Sequence, residues 1–164
     1  MENKMKYKIL EMDKFSAKQI SNWQYTGIYA LYSFDGSDDC KDELMNGDYY
    51  TVYDQVDNLV AYLCYGSSAQ VPMAKALGLY QDEHIDIGIG LSPEMCGKGI
   101  GKAILTEGIT FAKEKFCLTS IRLTVAEFNT RAIKLYQSLG FVKVSSFARI
   151  NEGVRTDFEV MVMK

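Results

Sequence analysis

Apolar residues recur along this chain first at intervals of two, then of three and four, and the changes of period mark out the elements. Residues 7–11 read as a first strand, after which Ser16 stands where it would cap a short helix running through Ile20 toward Trp23. Residues 38–45 form a second short helix closed by Asn46 and Gly47. Tyr49–Tyr53 and Leu59–Tyr65 are strand-like runs that meet across Asp57 and Asn58, the pattern of an antiparallel hairpin. A connection containing Ser, Pro and Gly follows. Residues 84–91 then put Ile85, Ile87, Ile89 and Leu91 on one face and His84, Asp86, Gly88 and Gly90 on the other.

From residue 99 to residue 116, Ile100, Ile104, Phe111, Ala112 and Phe116 return every three or four positions, an amphipathic helix with Gly108 at its middle marking close packing. Residues 120–126 alternate Ile121, Leu123 and Val125 with Arg122 and Thr124. Asn129 is placed to cap a further helix whose stripe is Ala132, Ile133, Tyr136 and Leu139, with Gly140 as its left-handed stop. Residues 141–147 and 157–163 are two closing strands. This order predicts a mixed α/β class with a central sheet of about seven strands covered by about four helices.

Composition narrows the picture. A length of 164 residues fits one domain, and 48% hydrophobic with 24% charged residues is an ordinary globular balance. A net charge of -3 supplies no positive field for nucleic acid and leans toward a cationic partner. Charges scattered through residues 1–14 argue against a signal peptide, and the longest uncharged stretch, residues 58–74, is broken by Gly66, Ser67, Ser68, Gln70 and Pro72, so no membrane span is expected. Four cysteines without a CxxC spacing and a single histidine give no zinc cluster, and they read as reduced thiols of a cytoplasmic protein.

Candidate chemistry concentrates between the strand ending at Leu91 and the helix starting near Gly99. Ser92-Pro93-Glu94-Met95-Cys96-Gly97-Lys98-Gly99-Ile100-Gly101-Lys102 is a glycine-rich strand-to-helix turn. Unpaired amides converge at such a helix start and favour an anion, glycines let a phosphate approach the backbone, and Lys98 and Lys102 add positive charge. Two common phosphate motifs fail on spacing. Gly101-Lys102 is preceded five residues earlier by Cys96 and followed by Ala103, which breaks the nucleotide P-loop pattern, and no GxGxxG run is present.

The turn resembles the pyrophosphate loop of the GNAT superfamily of acetyl-coenzyme A-dependent N-acetyltransferases. Cys96-Gly97-Lys98-Gly99-Ile100-Gly101 matches the two glycines of the loop, Gly99 and Gly101, while Cys96 stands where the family usually has Gln or Arg. A second block, Asn129-Thr130-Arg131-Ala132-Ile133-Lys134-Leu135-Tyr136-Gln137-Ser138-Leu139-Gly140-Phe141, is similar to the family's N..A..LY...GF segment. The resemblance is strongest over residues 85–147 and implies a mostly antiparallel, splayed sheet in a single domain over residues 1–164. It implies that acetyl-coenzyme A, and no metal, is used, with the pyrophosphate on Cys96, Gly97, Lys98, Gly99, Ile100, Gly101 and Lys102. The pantetheine arm would run along the strand from Ile87 to Leu91, against Ile89, Gly90 and Leu91, with Gly88 and Gly90 leaving room beside it and Asn129 adding a contact. A main-chain N–H near Ile89 to Leu91 would face the thioester oxygen. Tyr136 takes the family's general-acid position, while Glu83, His84 and Asp86 stay open as the base.

The acceptor implied is a small-molecule or protein amine, attacked directly in a ternary complex, and a homodimer is compatible with the resemblance. Trp23, Tyr25, Tyr29, Tyr32, Tyr49 and Tyr50 would either line its groove or pack the interior. Cys96 as a nucleophile would need a histidine, for which His84 is the sole candidate. A non-catalytic acyl-coenzyme A-binding or sensing module with the same fold is the alternative reading.

Overall fold

A computed structural model describes residues 7–81 and 83–163, so most of the charged start of the chain lies outside the described residues. Strands β1 (Lys8–Glu11), β2 (Tyr49–Tyr53), β3 (Leu59–Tyr65), β4 (Ile85–Leu91), β5 (Ile121–Ala126), β6 (Val142–Asn151) and β7 (Val154–Met163) alternate with helices α1 (Lys14–Ser21), α2 (Asp38–Leu44), α3 (Pro72–Ala76), α4 (Gly101–Phe116) and α5 (Thr130–Ser138). Strand neighbours follow the order β1-β2-β3-β4-β5-β7-β6 in a mostly antiparallel sheet, with β4 and β5 parallel.

The described chain divides into two compact units, with boundaries at the end of β3 between Cys64 and Tyr65, inside β4 between Gly88 and Ile89, and inside α4 between Gly108 and Ile109. In the first unit β1, β2 and β3 form an antiparallel meander over a core that includes Ala17, Ile20, Leu44, Val52, Val60 and Leu63. Ser16 does not cap α1. Asp13 does, its carboxylate accepting the Ser16 N–H at 2.7 Å, because burial of Ala17 and Ile20 requires the helix to begin at Lys14 and leaves Ser16 itself fully buried. A 3-10 turn over Gly27–Tyr32 contains no buried residue, and its apolar letters gave no helical period.

In the second unit β5 pairs with β7 and β7 with β6. Asn151 faces Val154 across Glu152 and Gly153, both at positive φ, which is the two-residue hairpin turn that matches strand twist. Both closing strands therefore run further than periodicity indicated. Phe147 stacks on Phe158 with centroids 5.1 Å apart, and Tyr65 stacks on Phe111 at 5.8 Å. Asn129 caps α5 by accepting the Ala132 N–H at 3.2 Å, and Gly140, at φ +100°, ends it. Among the described residues no helix is long and apolar enough to cross a membrane.

Candidate active site

The glycine-rich turn begins where β4 ends. The Ser92 N–H donates to the Val60 carbonyl on β3 at 2.8 Å, and a 3-10 turn over Pro93–Met95 then reverses the chain. Gly97 and Gly99 both sit at φ +77°, a conformation that a side chain disfavours by about 1–2 kcal/mol. A Cβ at Gly99 would meet nothing within 4 Å, so the glycine is demanded by the backbone, and open space lies beside it. Helix α4 starts two residues on, runs for 16 residues, and carries no acidic side chain in its first turn. A helix start, whose first N–H groups have no partner within the helix, a left-handed turn and the exposed Lys98 and Lys102 make a site suited to a phosphate.

Strand β4 has two different edges. Along an extended strand successive N–H groups point to opposite sides, and the Ser92 N–H points to β3 while the Ile85 N–H donates to the Ser120 carbonyl at 3.0 Å on the other side. Ile87, Ile89 and Leu91 share the parity of Ile85, so their main-chain groups face away from β3. The β4–β5 register comprises Ile85 opposite Ile121 and Asp86 opposite Arg122. The Leu91 carbonyl accepts a hydrogen bond from the Tyr25 hydroxyl. Burial, and secondarily the nearby Cys96 thiol, push the Tyr25 phenol above its usual range.

Gly90 does not leave room for a ligand on its Cα side. That space is filled by the Tyr62 ring, whose Cε2 stands 2.1 Å from where a Cβ would be. Tyr62 in turn has Phe34, Tyr49 and Trp23 around it at centroid distances of 5.7, 5.8 and 6.3 Å. Tyr49 and Tyr50 are buried, whereas Trp23, Tyr25, Tyr29 and Tyr32 are half-buried.

The second unit holds the other expected residues. Asp86 was expected to stand beside the strand glycines as a base, yet it is 2% exposed and both of its oxygens are engaged. Arg122 donates from Nε to Oδ1 and from Nη2 to Oδ2, each at 2.7 Å, and Gln70 donates to Oδ2 at 2.9 Å. Breaking one partner of such a buried pair typically costs about 3–5 kcal/mol. The arrangement supplies a buried structural contact and no free lone pair directed to solvent. Glu83 is exposed, and His84 Nδ1 lies 2.5 Å from the Ser120 hydroxyl. Tyr136 is half-buried and edge-to-face with Phe141 at 6.0 Å.

The sequence-expected residues 89–102 thus lie together in one unit with Tyr25, and Glu83, Asp86, Asn129 and Tyr136 belong to the other. Tyr25, Tyr62 and Gln70 carried no signal beyond their residue type. Arg122, a charge inside an apolar alternation, did. Among the described residues no group of three or more His, Cys, Asp or Glu is arranged to hold a metal ion.

A sequence model of the Acetyltransferase (GNAT) family matches residues 15–141. The chain belongs to the GNAT acetyltransferase family. This GNAT chain is 47% identical over 55 residues to a mycothiol acetyltransferase of Renibacterium salmoninarum, a match covering 34% of this chain and 16% of that protein. A mycothiol acetyltransferase of Salinispora arenicola is 36% identical over 58 residues, covering 35% of this chain and 19% of that one. This chain therefore spans under a fifth of the length of these curated relatives in the matched stretch. Among solved structures, the GNAT fold is shared with a GNAT acetyltransferase of Bacillus anthracis (TM-score 0.75, 12% identity, 96% of this chain and 94% of that one). It is shared too with the spermidine/spermine N-acetyltransferase of Vibrio cholerae (TM-score 0.70, 20% identity, 96% and 92%).

Proposed function

We propose that this GNAT protein transfers an acetyl group from acetyl-coenzyme A to an amine of a small molecule or protein, by direct attack in a ternary complex. The observation that carries this reading is the left-handed turn at Gly97 and Gly99, with open space beside Gly99, feeding an acid-free helix start. A diphosphate is the anion such a site suits. Cys96 in place of the family's Gln or Arg removes one side-chain donor from the set but leaves the main-chain donors in place.

Acetyl-coenzyme A supplies the activated acetyl group as a thioester. The amides of residues 97–102, apart from that of Lys98, which donates to the Met95 carbonyl at 3.4 Å, hold the diphosphate, with the Lys98 and Lys102 side chains adding charge. The N–H groups of Ile89 or Leu91, on the edge of β4 away from β3, donate to the oxygen that gains negative charge. An alkylamine near pKa 10.4 is only about one part in a thousand neutral at pH 7, so its deprotonation limits attack. Glu83, exposed at the entry to β4, is the carboxylate we assign to that task, directly or through water. Tyr136 protonates the departing thiolate; that assignment is supported by its place in the family motif. Asn129 contacts the coenzyme in addition to capping α5.

Calorimetric titration with acetyl-coenzyme A, followed by thiol release against a panel of amines in the same preparation, tests the reading. Binding with amine-dependent thiol release is expected. Binding without release from any amine favours an acyl-coenzyme A sensing module, and no binding overturns the coenzyme assignment.

A further inference from the structure

Asp86 and Arg122 face each other on the last rung of the β4–β5 register, and they are far better connected than two residues of a strand interior need to be. The carboxylate receives a two-pronged bond from the guanidinium at 2.7 Å for each prong, the geometry in which Arg and Asp pair most specifically. Gln70 adds a third donor to the same carboxylate at 2.9 Å. The guanidinium carbon lies 4.6 Å above the Tyr80 ring, and the Tyr80 hydroxyl is 2.7 Å from Thr124 Oγ1 while accepting the Val71 N–H at 3.1 Å. Side-chain exposure is 4% for Arg122 and 2% for Asp86. One buried network therefore joins β4, β5 and the segment from Gln70 to Tyr80 at the position where the ladder ends. The residues that follow Asp86, up to Leu91, are those whose outward main-chain groups we assign to the thioester.

We propose that Asp86 and Arg122 are positioning residues, a buried bolt that fixes the point at which β4 leaves β5, three residues ahead of Ile89 in the chain. The inference rests on the acetyl-transfer reading. It assigns Asp86 no proton transfer, since both of its oxygens are occupied by donors that hold it in place. A hydrogen-bond donor displaced by about 1 Å from a reacting oxygen can cost up to about a hundredfold in rate, so the bolt acts on activity without touching substrate.

The test uses the full chain and three variants: Asp86→Asn, Arg122→Lys, and the neutral pair Asp86→Asn with Arg122→Gln. Each is measured for kcat, for KM toward acetyl-coenzyme A, and for the pH dependence of kcat/KM with an amine that the wild type accepts. Hydrogen exchange of the residue 87–91 amides is followed without any ligand. Asp86→Asn and Arg122→Lys are expected to lower kcat/KM by about ten- to a hundredfold, with faster exchange at residues 87–91 and an unchanged pH profile. The neutral pair should recover part of both losses, because it keeps hydrogen bonding without a lone buried charge, and it keeps the test valid where a single variant fails to fold. If Asp86→Asn alone abolishes turnover and removes the acidic limb of the pH profile while Arg122→Lys behaves as wild type, Asp86 is the base and the proposal is overturned. Unchanged exchange and unchanged kcat/KM in all three overturn it as well. Should the wild type neither bind acetyl-coenzyme A nor release thiol, the acetyl-transfer reading has failed, and the exchange data alone then decide whether the pair holds β4.

Discussion

A methyl group added at Gly90 would stand 2.1 Å from Cε2 of Tyr62, 2.5 Å from Cζ and 2.8 Å from the hydroxyl oxygen. Ordinary contact begins at 3.4 Å, so in Gly90→Ala the ring must retreat by about 1.3 Å. It retreats into company, with Phe34, Tyr49 and Trp23 already packed around it. Overpacking of this kind costs about 1–3 kcal/mol, while alanine restores about 0.4–1 kcal/mol by restricting the unfolded chain. Gly90 is not among the glycines at positive φ, so backbone strain adds nothing. The net expectation is a loss of about 1–2 kcal/mol, which for a domain of this size lowers Tm by about 2–8 °C. Thermal and urea unfolding of Gly90→Ala measure it, and the same substitution in a Tyr62→Ala background supplies the control. Removal of the ring should abolish the penalty, giving a coupling of about 1 kcal/mol or more. Wild-type stability in Gly90→Ala, or an equal loss in both backgrounds, would refute the contact as the reason for glycine.

Three further outcomes are expected. Gly99→Ala and Gly99→Glu should share a stability loss of about 1–2 kcal/mol from the left-handed backbone, but calorimetry should find acetyl-coenzyme A affinity reduced much further in Gly99→Glu, whose charge opposes the diphosphate. Tyr136→Phe should lower kcat by about a hundredfold or more with little change in coenzyme affinity, as read by steady-state kinetics beside calorimetry. Burial raises the phenols of Tyr25, Tyr49 and Tyr62 above the ordinary tyrosine value of 10.0. Because the folded values lie above the unfolded one, the stability linked to these groups is fully present below pH 10 and lost as pH rises beyond it. Absorbance at 295 nm should therefore show these three tyrosines ionising together with alkaline unfolding, and their titration in a protein whose circular dichroism is still native would contradict their burial.

Where the chain could be read from its letters, a short-range rule decided the structure. The bounds of β2 and β3 follow from alternation and a turn, and the ends of α5 from Asn129 and Gly140. Helix α3 was missed because five residues, with Ala74 alone buried, are too few to display a period, and Pro72 at its start was the available clue. Ser16 and Asp13 are both capping residue types, and tertiary burial of Ala17 and Ile20 chose between them. The phosphate-type turn was legible because its chemistry is local. The roles of Asp86 and Gly90 were not, since their partners Arg122 and Tyr62 lie 36 and 28 residues away in the sequence, and period reports which face a residue occupies but not what waits there.

Strand β4 is pinned at two rungs, Asp86 against Arg122 and Ser92 against Val60, with five residues strung between them. The spacing is odd, and the alternation of main-chain groups turns that count into a constraint on chain length. Deleting or inserting a single residue there would send the Ile89 and Leu91 amides to the β3 edge and turn the Gly90 pair outward, even if every remaining side chain were kept. Length changes in homologues should accordingly collect in the 66–81 connection or within residues 93–96. Apart from Asp86 and Gly90, the stretch up to Ser92 should vary in letters far more readily than in number.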